Sequence, residues 1–125
     1  MRKIFESVKL YADKVIGEGK SSVYVYYLPI YRQMAELQND KLWHCKIGKT
    51  EGDPLLRVLS QASTALPEQP HIALILKTDY PNSLEQVLHG VLTIKGRKID
   101  NSPGSEWFLT YPKEVEDIYN KLFSV

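Results

Sequence analysis

The sequence predicts an α+β fold, a small three-stranded antiparallel sheet flanked by helices. Two stretches rich in β-branched and aromatic residues, Ser22–Leu28 and Lys41–Ile47, pair as a hairpin with a long connection. A third, "HIALILKT" at His71–Thr78, is a continuous apolar run of strand length. Segments with helical spacing precede, separate and follow these strands, in the order α-β-β-α-β-α-α.

The elements follow in order. Ile4, Val8, Tyr11 and Val15 recur at helical spacing, which predicts a helix over Arg2–Ile16 stopped by Gly17. "GEGKSS" is a loop, and Ser22–Leu28 is the first strand, ended by Pro29. Tyr31–Asp40 is a polar connection with room for a helical turn, leading to the second strand at Lys41–Ile47. Asp53-Pro54 has the form of an N-cap followed by proline at the first helical position. Leu55, Val58, Leu59 and Ala62 then give an apolar stripe for a helix to about Thr64. "LPEQP" breaks it before the strand His71–Thr78. Asn82 or Ser83 can cap a helix running to about Lys95, with Leu84, Val87, Leu88, Val91 and Leu92 facing inward. "KGRKIDNSPGS" is loop and "EWFLT" is extended. Pro112 opens a last helix that buries Val115, Ile118, Tyr119 and Leu122.

Composition sets the limits. A chain of 125 residues, 43% apolar and 25% charged, is the size and make-up of one globular domain. No apolar run reaches the roughly 20 residues of a membrane span. Glu6 and Lys9 come too early for a signal-peptide core. One cysteine, Cys45, rules out an internal disulfide and a cysteine-based zinc site. These features predict a cytoplasmic protein. A net charge of +1 neither requires nor excludes nucleic acid, because basic groups can gather on one face.

The stretch "CKIGKT", Cys45–Thr50, ends like a phosphate-binding P-loop. Such a loop needs a second glycine where Trp43 stands, so this stretch reads as a strand instead. In a strand, alternate residues share a face. Tyr24 and Tyr26 point one way, and Val23, Val25 and Tyr27 the other. His44, Lys46 and Gly48 share a face, and Trp43, Cys45 and Ile47 share the more apolar one. Lys46 is thus expected beside Tyr24 across the hairpin, with Cys45 and Ile47 in the core. Gly48, at the strand end, leaves room for a nucleic-acid backbone to approach.

Ser22-Val23-Tyr24, Lys46-Ile47-Gly48, Arg57 on the following helix, "LEQVLH" with Glu85, and "SEWFLT" with Glu106-Trp107-Phe108 occur in this order. Together they resemble the GIY-YIG nuclease superfamily. The likeness is to the branch with a Lys-Ile-Gly second motif and a terminal Glu-Trp-Phe, known from bacteriophage DNA-binding open reading frames and meiotically up-regulated fungal genes. It spans Ser22 to about Tyr111 and departs from the superfamily pattern at Ser22, where a glycine is usual, and at Lys46, where a tyrosine is usual. The domain organisation it implies is an N-terminal helix and loop over residues 1–21 and a GIY-YIG-like nuclease domain over 22–125, in one compact unit.

The resemblance implies a metal-dependent endonuclease that hydrolyses DNA phosphodiester bonds. Tyr24, Lys46, Arg57 and Glu85 would be catalytic, with Glu85 the ligand of one Mg²⁺ or Mn²⁺ ion otherwise held by water. Arg57 would pair with phosphate oxygens through its planar fork. Tyr24 would take the water's proton, with Lys46 lowering its pKa from about 10. Gly48, Lys49, Thr50 and His89 would contact the nucleic acid. The expected partner is DNA and no membrane.

Each residue also has a structural role open to it. Tyr26 is read as a packing residue, Cys45 as core, and Trp107 and Phe108 as anchors of the last segment. His89 shares a helix face with Glu85, and a structural hydrogen bond is the preferred reading for it. Glu106 could pair with Arg97 or Lys98. Two other functions stay open: a DNA-binding module of the same fold that does not cut, and a protein-interaction domain.

Overall fold

The computed structural model describes residues 11–65, 68–100 and 106–123. The strands are β1 (Lys14–Gly17), β2 (Ser21–Tyr27), β3 (Trp43–Thr50), β4 (His71–Thr78) and β5 (Trp107–Thr110). The helices are α1 (Pro29–Leu37), α2 (Pro54–Ala65), α3 (Pro81–Ile94) and α4 (Pro112–Phe123). The fold is α+β, but the sheet is five-stranded and mixed, in the order β1-β4-β2-β3-β5. The expected three antiparallel strands are its centre, β4-β2-β3; β5 adds antiparallel to β3, and β1 adds parallel to β4. No helix among the described residues is long and apolar enough to cross a membrane.

β1 overturns part of the first helix. The expected helix over Arg2–Ile16 ends in a strand from Lys14; its Arg2–Leu10 portion lies outside the described residues. Val15 and Ile16 are β-branched and lose side-chain freedom in a helix, and the open edge of β4 offers them backbone partners from Leu74 to Lys77. Gly17 has φ +83°, and a Cβ there would lie 2.5 Å from the Lys77 carbonyl oxygen and 2.7 Å from the Tyr119 hydroxyl. Glycine is thus required where β1 ends against α4.

Other boundaries shift for local reasons. Pro29 both ends β2 and opens α1, so the polar connection carries a helix of 9 residues. β3 runs on through Gly48 and Lys49 to Thr50, because Ser22 to Tyr24 of β2 pair with those positions. α2 starts as the sequence predicts, with the Leu55 N–H donating to Asp53 Oδ1 at 2.9 Å. Leu59 and Ala62 lie where no side chain is described. α3 is capped at Tyr80, without a side-chain cap bond, instead of at Asn82 or Ser83. Proline at its first turn and the Leu84–Leu88–Leu92 face set this start. Val87 of α3 and Leu122 of α4 are exposed, not inward.

Helices cover both faces of the sheet, and strand alternation sorts the core into two clusters. One gathers Val23, Val25, Tyr27, Cys45, Ile47 and Phe108 under α3 and α4. The other gathers Tyr24, Tyr26, Ile72, Ile75 and Trp107 under Val58 of α2. A register shift between Val25 and Tyr26 puts Ile72 and Ile75, three apart, on the same face as the two tyrosines.

Candidate functional site

The site is built on β3 and on the strand beside it. Tyr24 stands opposite Gly48, and Tyr26 opposite Lys46. Tyr24 is 1% exposed, and its ring lies directly over Gly48. A Cβ on residue 48 would sit 2.5 Å from the Tyr24 hydroxyl and 2.6 Å from the ring carbon that bears it. The glycine is therefore the seat of the tyrosine. The sequence reading assigned that space to an approaching nucleic-acid backbone; the phenol already fills it.

Lys46 is displaced from its expected neighbour. It stands across from Tyr26 and diagonal to Tyr24, with Nζ 5.9 Å from the centre of the Tyr26 ring. Tyr26 stacks on Tyr24 at 6.0 Å and takes the edge of Trp107 at 5.9 Å. Burial pushes the Tyr26 phenol far above its ordinary pKa, and the charges of Tyr24 and Glu106 add to this, while Arg57 opposes it. Tyr26 is fully buried in the core between Tyr24 and Trp107, as its reading as a packing residue expects, and Lys46 lies over its ring. Lys46 also reaches Glu106 at 3.8 Å, with side-chain exposures of 18% and 33%. The expected Glu106 partners, Arg97 or Lys98, are overturned, because Arg97 turns away to Glu114 at 2.7 Å. Glu106 is fixed by its backbone, whose carbonyl accepts the Ile47 N–H at 3.0 Å.

Glu85 projects from α3 and is only 8% exposed, and its Oε2 is buried with no hydrogen-bond partner. Burial raises its pKa; among the neighbouring charges, His89, Lys49 and Lys46 pull it down and Glu106 pushes it up. His89 does not relieve the orphan oxygen, since its Nε2 donates to the Ile47 carbonyl at 2.8 Å and its ring packs on Phe108 at 4.9 Å. The structural reading of His89 is the one the geometry supports. A buried anionic oxygen without a donor costs free energy unless something else reaches it. A carboxylate oxygen is a hard donor of the kind that suits Mg²⁺ or Mn²⁺, but among the described residues no group of three or more His, Cys, Asp or Glu gathers where it could hold an ion.

Arg57, exposed in the first turn of α2, acts on Tyr26 from the other face of the sheet. Arg57 and Glu85 thus come from helices on opposite faces. Arg57 acts on Tyr26, whereas the charges that act on Glu85 are those of His89, Glu106, Lys49 and Lys46. β5 pairs only with Trp43 to Lys46, so β3 beyond Ile47 has no strand on that side among the described residues. Glu106, at the end of β5, faces this edge and acts on Tyr26 and Glu85 alike.

Lys49 is exposed and Thr50 half-buried along the same edge. With Glu51, Gly52, Pro81 and Asn82 they line a polar cavity of about 460 Å³ between β3 and the start of α3. Glu85, three residues after Asn82 on α3, is not among the residues that line it. Ser22 is buried, and its hydroxyl accepts a hydrogen bond from Lys77 Nζ at 3.2 Å. Two residues escaped the sequence reading in their observed roles, Tyr26 under Lys46 and Glu106 beside it. Both depend on pairing between β3 and its neighbours, and no local pattern shows which residues face each other.

The family model of the T5orf172 domain matches residues 22–123. Comparison with curated proteins and with solved structures finds no match.

Proposed function

Because the chain belongs to the T5orf172 domain family, we propose that it is a metal-dependent endonuclease that hydrolyses DNA phosphodiester bonds at the outer edge of β3. The observation that carries this reading is the buried, unpartnered Glu85 Oε2 with lysines 46 and 49 around it. An anion that is buried without a donor, beside cations suited to phosphate, matches a metal ligand better than a structural carboxylate.

The roles divide as follows. Glu85 would hold one divalent ion, which would supply a Lewis acid and a water of lowered pKa. Arg57 presents a planar fork to two phosphate oxygens. Lys46 offsets charge that builds on the phosphorus centre. Lys49, exposed beyond it, and Thr50 bind the flanking backbone. Tyr24, held over Gly48, is the candidate to take the attacking water's proton, and Tyr26 keeps its own and serves as a neutral hydrogen-bond donor.

A second reading has its own support. Tyr24 is almost fully enclosed, which favours a DNA-binding module that no longer cuts. The test is supercoiled plasmid incubated with protein plus Mg²⁺, Mn²⁺ or chelator, alongside a gel shift on the same DNA. Cutting with metal and none with chelator supports the endonuclease. A shift without cutting under any condition supports the binding module.

A further inference from the structure

Lys46 and Glu106 form an ion pair at 3.8 Å, with side-chain exposures of 18% and 33%. Three features set it apart from the pairs that tie the fold together. The first is its length. Lys14 donates to Glu116 at 2.6 Å and Lys95 to Glu114 at 2.8 Å, whereas 3.8 Å is too long for a hydrogen bond. The attraction between Lys46 and Glu106 is therefore Coulombic alone. The second is its fixed geometry. The Glu106 carbonyl accepts the Ile47 N–H at 3.0 Å, and Trp107, the next residue, stands opposite Lys46 and packs against Tyr26. Strand pairing thus holds the carboxylate beside the lysine. The third is its place. Lys46 Nζ lies 5.9 Å from the centre of the Tyr26 ring, on the sheet face that carries Tyr24 and Tyr26. A phosphate oxygen reaching that face can make the direct, charge-assisted hydrogen bond to Lys46 that this Glu106 oxygen does not.

We propose that Glu106 is a built-in counter-ion of Lys46, which a DNA phosphate displaces. Without DNA, Glu106 neutralises the ammonium and keeps it over Tyr26. With DNA, Lys46 exchanges one anion for another instead of gaining one. The pair has no net charge, so the protein neutralises one phosphate fewer than it would with Glu106 uncharged. Glu106 therefore lowers affinity for polyanions in general and reserves Lys46 for a phosphate that the rest of the site brings close. This inference rests on the endonuclease reading only in requiring that Lys46 meet a DNA phosphate; it needs neither a metal ion nor cutting.

The experiment is DNA binding in chelator, read by the fluorescence anisotropy of a labelled duplex across a salt series. It compares wild type, Glu106→Gln, Lys46→Met and the Glu106→Gln/Lys46→Met double variant. Glutamine keeps the side-chain shape and the backbone bond to Ile47, so the fold persists. Glu106→Gln tightens binding by about 5-fold, the upper end for a partly exposed pair. It also steepens the dependence of log Kd on log salt by about 0.9, the share of one phosphate. Both effects vanish in the Lys46→Met background, because Glu106 acts through the lysine. A wild-type Kd and salt slope in Glu106→Gln overturn the proposal. So does an equal gain from Glu106→Gln in the Lys46→Met background, since Glu106 would then repel DNA on its own. In either case metal-dependent plasmid cutting by wild type leaves the endonuclease reading intact. No DNA binding by wild type or by any variant overturns both.

Discussion

Glu85 and Glu114 are both buried glutamates on helices, and they are opposites. Glu114 of α4 is 6% exposed, and its carboxylate is satisfied on every side. Thr110 Oγ1 donates to Oε1 at 2.6 Å, Arg97 Nη1 to the same oxygen at 2.7 Å, and Lys95 Nζ to Oε2 at 2.8 Å. Burial alone would raise its pKa, but the bonds from Lys95, Thr110 and Arg97 prevail and hold it below the ordinary carboxylate range. Glu85 has comparable burial, and its cations act from further off without bonding Oε2, so burial prevails and its pKa rises. The Glu114 cluster ties β5, α4 and the chain after α3 into the fold. The Glu85 oxygen carries a burial cost that no protein donor offsets. Burial of a charge alone therefore does not separate structure from function; the state of its partners does.

The largest effect expected on either side of this comparison is on cutting. Glu85→Gln lowers metal-dependent plasmid cleavage by on the order of 10³-fold, while the gel shift and the fold persist. Urea denaturation should find the variant at least as stable as wild type in chelator, since an unsatisfied buried charge is gone. A loss of stability would make Glu85 a structural residue like Glu114.

Glu114→Ala does the reverse. It strands Arg97 and Lys95, whose side chains are 21% and 43% exposed and so regain some water. The loss of stability is about 2–3 kcal/mol, at the lower end for removing one partner of a buried pair, measured by the same urea denaturation. Cleavage per folded molecule should not change. A selective loss of cleavage in a fully folded variant would break the division between the two glutamates.

Gly48→Ala tests the seat of Tyr24. The new methyl meets the phenol ring and hydroxyl, and ring displacement costs about 1–3 kcal/mol. Cleavage should fall with metal binding unchanged, because the ring moves and Glu85 does not. Wild-type cleavage would show that the position of Tyr24 is unimportant.

The smallest effect is on pH dependence. Glu114 has a depressed folded pKa, so its contribution to stability is fully present above the unfolded value of about 4.3 and is lost as pH falls through the folded value. Glu85 has a raised folded pKa, so its contribution has the opposite sign and stability declines as pH rises from the unfolded value through the folded one. Acid titrations of stability should be flatter below pH 4.3 or so for Glu114→Gln than for wild type. Equal slopes would mean that the Glu114 bonds are not felt in solution.

What could be read in the sequence was local. The run His71–Thr78, the Asp53-Pro54 start of α2 and the alternation of Tyr24 and Tyr26 against Val23 and Val25 depend on neighbours in the chain, and the fold keeps them. Although "EWFLT" reads as extended, both edge strands lie outside the three strands expected, and for one reason. Lys14–Gly17 becomes a strand only because β4 is open beside it, and Trp107–Thr110 only because β3 is. Such pairing joins distant residues, and propensity yields to it. The same limit fell on the site. Lys46, Arg57 and Glu85 were named from the resemblance alone, and the Lys46 neighbours, Tyr26 and Glu106, follow from strand register. Nor does an isolated Glu-x-x-Leu-His segment reveal whether its carboxylate will find a donor.

The most direct test of the central claim is the Tm of wild type and Glu85→Gln, each in chelator and in Mn²⁺. A ion that binds only the folded protein raises Tm in proportion to its affinity. Wild type should gain Tm with Mn²⁺, whereas Glu85→Gln should melt at or above the chelated wild type and gain nothing further. An equal gain in both proteins would place the ion elsewhere and contradict the account.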